Sequence, residues 1–410
     1  MSMIPNNVGL PVRDIALITD IFGRLRVSNP FTLFDSKLLY DSQSFHWDDA
    51  QVSGSSTSST YNSNRSSVTI QVNGSVSGRR VRQSRFRPYY QPGKSQLIMV
   101  TTIVGTAPTG ITKRWGCFDD KNGLYFEYSN NELYVCKRTY TSGSPVDLKV
   151  HQSNWNKEKL DSRSSFGTTL DPTKGNIYFI SFEWLGLGDV QFGVIIDTQF
   201  IVLHQMKHSN TEDRVYMTTP NLPIRYEIIS NGTGSSSSSM EVVCASVLSE
   251  GGINPTGTIR TIDRGSTTLS TASNTNIHPL IVIRLKPGAE GALIVPIMCD
   301  IVCTTNGPFR WSLQHNPTIS GSMTFVNHPT ANFQYCVTTS VSNQITTEGT
   351  TILSGYGIDK GSTIEITDMP ISTIMGTDIQ GNSDIYALAV NSVTDKINTF
   401  YASLTLRDIH

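Results

Sequence analysis

The chain has 410 residues, a formal net charge of −1, and 16% charged against 38% hydrophobic residues. This length exceeds one typical core and predicts two or three domains. The neutral balance excludes a global field that would draw the protein onto nucleic acid or a membrane surface. Ordinary soluble domains carry roughly 25% charged residues; here Ser, Thr, Asn and Gly fill the difference, which favours strands and turns.

Residues 1–45 read as an extended N-terminal arm or docking segment. Within it, Phe22-Gly23-Arg24-Leu25-Arg26-Val27 alternates apolar with basic side chains, and Asn29-Pro30 signals a turn. The run 31–40, which carries Phe31 and Phe34, could form a strand or one short helix. An arm gains its burial from other subunits, whereas an edge strand needs none.

Residues 46–252 read as one β-domain. Short runs of strand formers recur at 67–72, 95–104, 123–128, 132–137, 176–184, 189–196, 199–204, 224–229 and 241–248. Turn signals separate them: Asn73-Gly74, Asp120 to Gly123, Leu185 to Gly188, and Asp197-Thr198. No stretch of twelve or more residues keeps a helical period, so a sandwich is expected. The Ser-rich segment 232–240 reads as a hairpin loop between two strands, and 250–257 as the domain boundary.

Residues 253–410 read as a second sandwich, with strands at 280–285, 292–302, 309–313, 385–390 and 400–407. No fixed-period repeat is present, which disfavours a solenoid or propeller. The fold class is therefore all-β: two β-sandwich domains of jelly-roll or lectin-like type behind an N-terminal arm.

Few residue patterns point to chemistry. Cys299 and Cys303 are separated by three residues, which suits neither a zinc knuckle nor a redox pair. On one strand they would stand ~13 Å apart, too far to bridge. All six cysteines read as small buried hydrophobes in a reducing, cytosol-like environment. No run approaches the ~20 apolar residues of a membrane span, and no targeting segment is visible. No nucleophile elbow, phosphate loop or zinc-protease motif occurs. No cofactor, metal or enzyme activity is expected.

The densest charge cluster is Arg79, Arg80, Arg82, Arg85 and Arg87, followed by Tyr89 and Tyr90. Arginines with aromatics beside them can grip a neighbouring subunit, face solvent along a strand, or bind single-stranded nucleic acid. One such patch on a neutral chain disfavours nucleic acid. Asp119 and Asp120 are candidate ligand or turn residues, and the phrase Asp120 to Gly123 suffices as a hairpin turn. The paired Asp48-Asp49 lacks any calcium-loop spacing. Trp155 is a candidate for stacking on a sugar, though aromatics of this region read mostly as core.

The stretch 180–204 resembles late strands of concanavalin- or laminin-G-like sandwiches. A second resemblance rests on ordered phrases: residues 22–37, 90–96, 123–127, 220–227 and 247–252 are similar to phrases in virion structural proteins of tailed phages, especially marine ones. That resemblance implies a particle component (capsid-associated, head fibre or tail) assembled in the host cytoplasm. Its expected partners are other copies of itself, as a trimer or other homo-oligomer, and other virion proteins. The proposed interface residues are Arg24, Arg26, Phe31, Phe34 and the five arginines 79–87. The alternative is a receptor- or carbohydrate-binding appendage facing a host-surface glycan.

Overall fold

The computed structural model describes residues 29–164, 166–252, 254, 256–271, 275–305, 307–357, 362–365 (backbone only) and 375–409. Arg24 and Arg26 lie outside them. Two antiparallel sandwiches follow one another along the chain. Apart from one 3-10 turn at Gln152–Asn154, the regular elements among the described residues are strands.

The first sandwich holds β1 (Pro30–Lys37), β2 (Trp47–Gly54), β3 (Thr57–Asn62), β4 (Ser67–Val72), β5 (Ser77–Ser84), β6 (Ser95–Ile103), β7 (Ile111–Phe118), β8 (Gly123–Ser129), β9 (Glu132–Thr139), β10 (Val146–His151), β11 (Asn176–Phe182), β12 (Val190–Ile196), β13 (Gln199–Met206), β14 (Ile224–Asn231) and β15 (Ser238–Glu250). One sheet runs β13-β12-β11-β6-β15-β4-β3, with β1 paired to β15; the other runs β10-β9-β8-β7-β14-β5-β2. The described part of the expected arm is thus built into the sandwich. Pro30–Lys37 zips antiparallel onto β15, and Phe34 is buried against Trp47, with ring centroids 5.6 Å apart.

One expectation is corrected. The Ser-rich loop is not a hairpin, because β14 belongs to one sheet and β15 to the other. The loop carries the chain across the edge of the core. It turns at Gly232, whose φ of 80° lies where glycine is favoured.

Period-two alternation builds the core. In β14, Ile224, Tyr226 and Ile228 point inward while Arg225 and Glu227 point outward. Within the seven-stranded sheet Trp115 stacks on Phe126, and Tyr178 from the other sheet meets both rings at 4.9 and 5.0 Å. Such aromatic pairs add ~0.5–1.5 kcal/mol each beyond their buried area.

The second sandwich holds β16 (Thr258–Asp263), β17 (Leu269–Thr271), β18 (His278–Leu285), β19 (Leu293–Cys303), β20 (Phe309–His315), β21 (Thr318–Ile319), β22 (Val326–Asn327), β23 (Phe333–Val337), β24 (Ile345–Thr347), β25 (Thr350–Gly357), β26 (Ser362–Glu365), β27 (Ile385–Ser392) and β28 (Asn398–Ile409). Its sheets run β16-β28-β19-β26, with β17 on β28, and β22-β23-β18-β27-β20-β25. All six cysteines are free thiols; five are buried and Cys244 is half-buried.

The sandwiches are tied together. Leu293 and Ile409 join the first core. Arg85 pairs with Asp384, which also accepts from Asn316 Nδ2 at 2.6 Å and lies 3.3 Å from His315 Nε2. Burial alone would raise the Asp384 pKa, but His315 and Arg85 hold it well below the usual carboxylate range. Ile379 N donates to Asp48 Oδ2 at 2.8 Å, and Asn221 Nδ2 donates to the Gly291 carbonyl at 2.9 Å.

The outward face of the seven-stranded sheet is charged yet closed. Glu227 is fully buried and accepts from Arg79 Nη2 at 2.6 Å and Arg114 Nη1 at 2.9 Å. Arg114 Nε and Lys149 Nζ both reach Glu127 at 2.7 Å, and Arg138 clasps Asp147 with two bonds. Burial would push the Glu227 pKa up; Arg79, Arg114 and Arg225 overcome it and lower it. Glu227→Gln removes the shared counter-charge from these guanidiniums. It should cost about 3 kcal/mol or more in chemical unfolding, whereas Asp213→Asn, in an exposed pair, should leave the midpoint unchanged.

Lys113 is an exception within the core. It is fully buried and donates to the Val104 and Ser239 carbonyls at 2.5 and 2.6 Å, without an acid partner. Burial lowers its pKa to about 7, and a neutral amine still has two N–H donors for the two carbonyls. An unfolded lysine stays protonated to about pH 10. Above pH 7 the unfolded chain therefore binds the extra proton, and this residue makes stability rise with pH by ~1.4 kcal/mol per unit. Above about pH 8 the buried cysteines, with raised pKa values, pull the other way. Denaturation should show wild type gaining about 1 kcal/mol on Lys113→Met between pH 7 and 8, with the two curves running parallel below pH 6.

Candidate functional site

At the end of the seven-stranded sheet, where the two sandwiches meet, lies a cleft of about 420 Å³. The first sandwich contributes Gln83 from β5, Arg87 just after it, the β7–β8 turn, the loop before β14, and Arg225 from β14. The second contributes the β18–β19 turn at Gly288 to Gly291 and the turn 378–381.

Local sequence fixes the walls. Asp119 Oδ1 accepts from the Lys121 and Asn122 amides at 2.8 Å, an Asx turn that closes the hairpin. Asn122 exchanges two hydrogen bonds with Thr218, at 2.8 and 3.0 Å, which fastens the hairpin to the opposite loop. Asn221 accepts from Tyr90 N and donates across the junction to Gly291. Asp378 caps its own turn by accepting from Asn382 N and Nδ2 at 2.7 and 2.8 Å.

The charges are nearly balanced: Arg87, Lys121 and Arg225 against Asp119, Asp120, Glu290 and Asp378. Arg225 donates to Asp120 and to Gln83 Oε1, both at 2.7 Å, and its guanidinium lies 5.5 Å from the Phe118 ring. Arg79 also reaches Asp120, at 2.6 Å. Burial would raise the Asp120 pKa, but Arg225 and Arg79 bring it down to about 2. Burial likewise opposes Arg87 at Asp119, and the guanidinium prevails, lowering that pKa. Lys121 Nζ sits over the Tyr140 ring at 5.6 Å. Arg87 donates from Nη1 to Asp119 at 2.8 Å and lines the cleft, while its buried Nε has no partner among the described residues. An unpaired buried donor on a charged group is costly.

The five clustered arginines split by face. Arg79 serves Glu227 and Asp120; Arg80 and Arg82 turn to the other face and pair with Asp49, at 2.6 and 3.3 Å. Arg82 also donates to the Ser42 carbonyl at 2.5 Å and lies 4.9 Å from the Trp47 ring. Arg85 ties the sandwiches together and Arg87 lines the cleft. Each therefore has an acid partner within the chain. Tyr89 and Tyr90, which follow them, are buried.

Asp119 and Asp120 are brought together at the cleft; Trp155 is not. Its ring is 2% exposed and its Nε1 donates to the Val150 carbonyl, which leaves no face for a sugar. Phe31 is exposed at the start of β1, on the other sheet. Glu227, Arg114 and Arg225 were legible only as charged outward positions between apolar neighbours. The turns 288–291 and 378–381 carried no signal, because their approach to the hairpin is decided by how the sandwiches dock. Among the described residues, no three His, Cys, Asp or Glu are grouped to hold a metal ion, and no helix is long and apolar enough to cross a membrane.

No protein-family model matches the chain, and no curated protein matches it. Solved structures resemble about half of it. A legume lectin-like domain from Entamoeba histolytica is 10% identical, with a TM-score of 0.32 over 52% of this chain and 96% of that one. A glycosyl hydrolase family 16 protein from Mycobacterium smegmatis is 11% identical, with a TM-score of 0.35 over 53% and 100%. Peanut lectin is 9% identical, with a TM-score of 0.28 over 54% and 98%. Similarity at this level carries no argument about ligand or activity. The chain is an all-β protein of multiple antiparallel sheets, and its function has to be argued from the cleft itself.

Proposed function

We propose that this protein is a non-catalytic carbohydrate-binding protein that receives a neutral polyhydroxyl ligand in the cleft between its two sandwiches. The observation that carries the reading is Arg87: a guanidinium that lines a cleft whose charges nearly cancel, steadied by Asp119 through Nη1. Amide and hydroxyl groups from Gln83, Asn122, Thr218, Thr219 and Gln380 surround it. Such a wall offers both donors and acceptors, which suits ligand hydroxyls that do both. The volume falls within the ~300–1,000 Å³ of small-molecule sites.

The arginine-clamped acids of the cleft favour binding over cleavage. Glycoside hydrolysis needs one carboxyl whose pKa is raised so that it can donate a proton. Asp119 and Asp120 are held the other way, each clamped by arginine. The narrower setting, a host-attachment or structural component of a virus particle, rests on the phage-like phrases at 22–37 and 220–227. Mass spectrometry of purified particles should then detect the chain, and its absence from them would remove that setting.

A glycan array should give discrete hits with the wild-type protein. Arg87→Ala should weaken the best of them about 10-fold or more in calorimetric titration, the usual range for a charged hydrogen bond. An empty array, or unchanged affinity in the variant, overturns the reading. Release of reducing sugar from a bound glycan would replace it with an enzymatic one.

A further inference from the structure

The two outward faces of the first sandwich differ in chemistry. That of the seven-stranded sheet is closed by its own ion pairs. On the eight-stranded sheet, an apolar row crosses five adjacent strands. Phe200 of β13 lies opposite Ile195 of β12, which lies opposite Ile177 of β11. Met99 and Leu97 of β6 come next, and Leu248 of β15 pairs with Leu97. Phe200 and Ile177 are 55% and 37% exposed, and the other four are half-buried.

The row is organised. Phe179 lies across β12 because residue 193 is glycine: a Cβ there would fall 2.2 Å from the Phe179 ring. Phe200 then packs on Phe179 with ring centroids 5.2 Å apart. Between these side chains the outward positions are Ser181, Gln191, Thr101 and Ser246. Charge flanks the row, with Asp35 and Lys37 on β1, Glu250 at the end of β15, and the Glu241–Arg65 pair further along β15.

We propose that this face packs against the same face of a second copy of the chain, sheet on sheet about a two-fold axis. An uncharged, hydrocarbon-rich face offers no complement to a charged partner, but it is complementary to itself, as an isologous interface requires. Five strands ~4.8 Å apart and about six residues deep span on the order of 480 Å² per copy, so roughly 1,000 Å² per pair. That is about the ~1,000 Å² that a specific interface should clear. Facing sheets pack ~10 Å apart with interdigitated side chains, and a flat row of this kind can do so. The interface so assigned is separate from the arginines 79–87, whose acids lie within the chain, and from the cleft.

Sedimentation equilibrium of the full chain at ~10 μM should give twice the 45.1 kDa monomer mass. Phe200→Asp and, separately, Ile177→Asp should each yield monomer, with unchanged circular dichroism and a cooperative thermal transition that no longer depends on protein concentration. Both positions are exposed enough to tolerate the change in the folded monomer. Glycan affinity in the cleft should be the same in these variants, so this proposal and the binding reading fail independently. A wild-type monomer, a species of odd copy number, or a dimer that persists in both folded variants overturns it.

Discussion

Burying a guanidinium without an acid costs several kcal/mol, and this chain buries many of them. The seven-stranded sheet can close its outward face only because Glu227, Glu127, Asp120 and Asp147 stand in register with Arg79, Arg114, Arg225 and Arg138. Strand pairing sets that register: Glu227 lies opposite Arg114, which lies opposite Glu127. A slip of one residue would turn the charges into the core and the core side chains out. The ion pairs therefore do less to stabilise the fold than to exclude other pairings of the same strands.

The same lattice prepares the cleft. Asp120 is shared between Arg79 and Arg225, so it belongs both to the sheet face and to the cleft wall. Arg225 is held flat between Gln83 and the Phe118 ring. These side chains are fixed before any ligand arrives, which lowers the ordering cost of binding. Arg87 lines the same cleft, to which the second sandwich contributes Glu290 and Gln380.

The two sheets of the first sandwich thus treat their outward faces in opposite ways. One face is satisfied by charges within the chain. The other presents an apolar row that nothing among the described residues covers. A sheet has two faces, and a two-layer sandwich buries only one of each. The leftover face must be made polar, closed by its own pairs, or given to a partner, and the seven-stranded sheet takes the second course.

By itself the sequence determined the strands. Runs at 67–72 and 280–285 became β4 and β18 almost residue for residue, because period-two alternation and Asn-Gly or Pro-Gly turns are local properties. It also favoured the core for most aromatics of this region, Trp115 and Phe126 among them. Local pattern could not tell which face an arginine in 79–87 would take, nor that its acid would come from as far away as Glu227 or Asp384. It marked 232–240 as a loop but not as a passage between sheets. It gave Trp155 no cue of burial, and of the cleft it marked only Asp119, Asp120 and Arg87, not the turns that face them. Those features depend on pairing partners more than a hundred residues apart and on how two sandwiches dock, which only the tertiary structure decided.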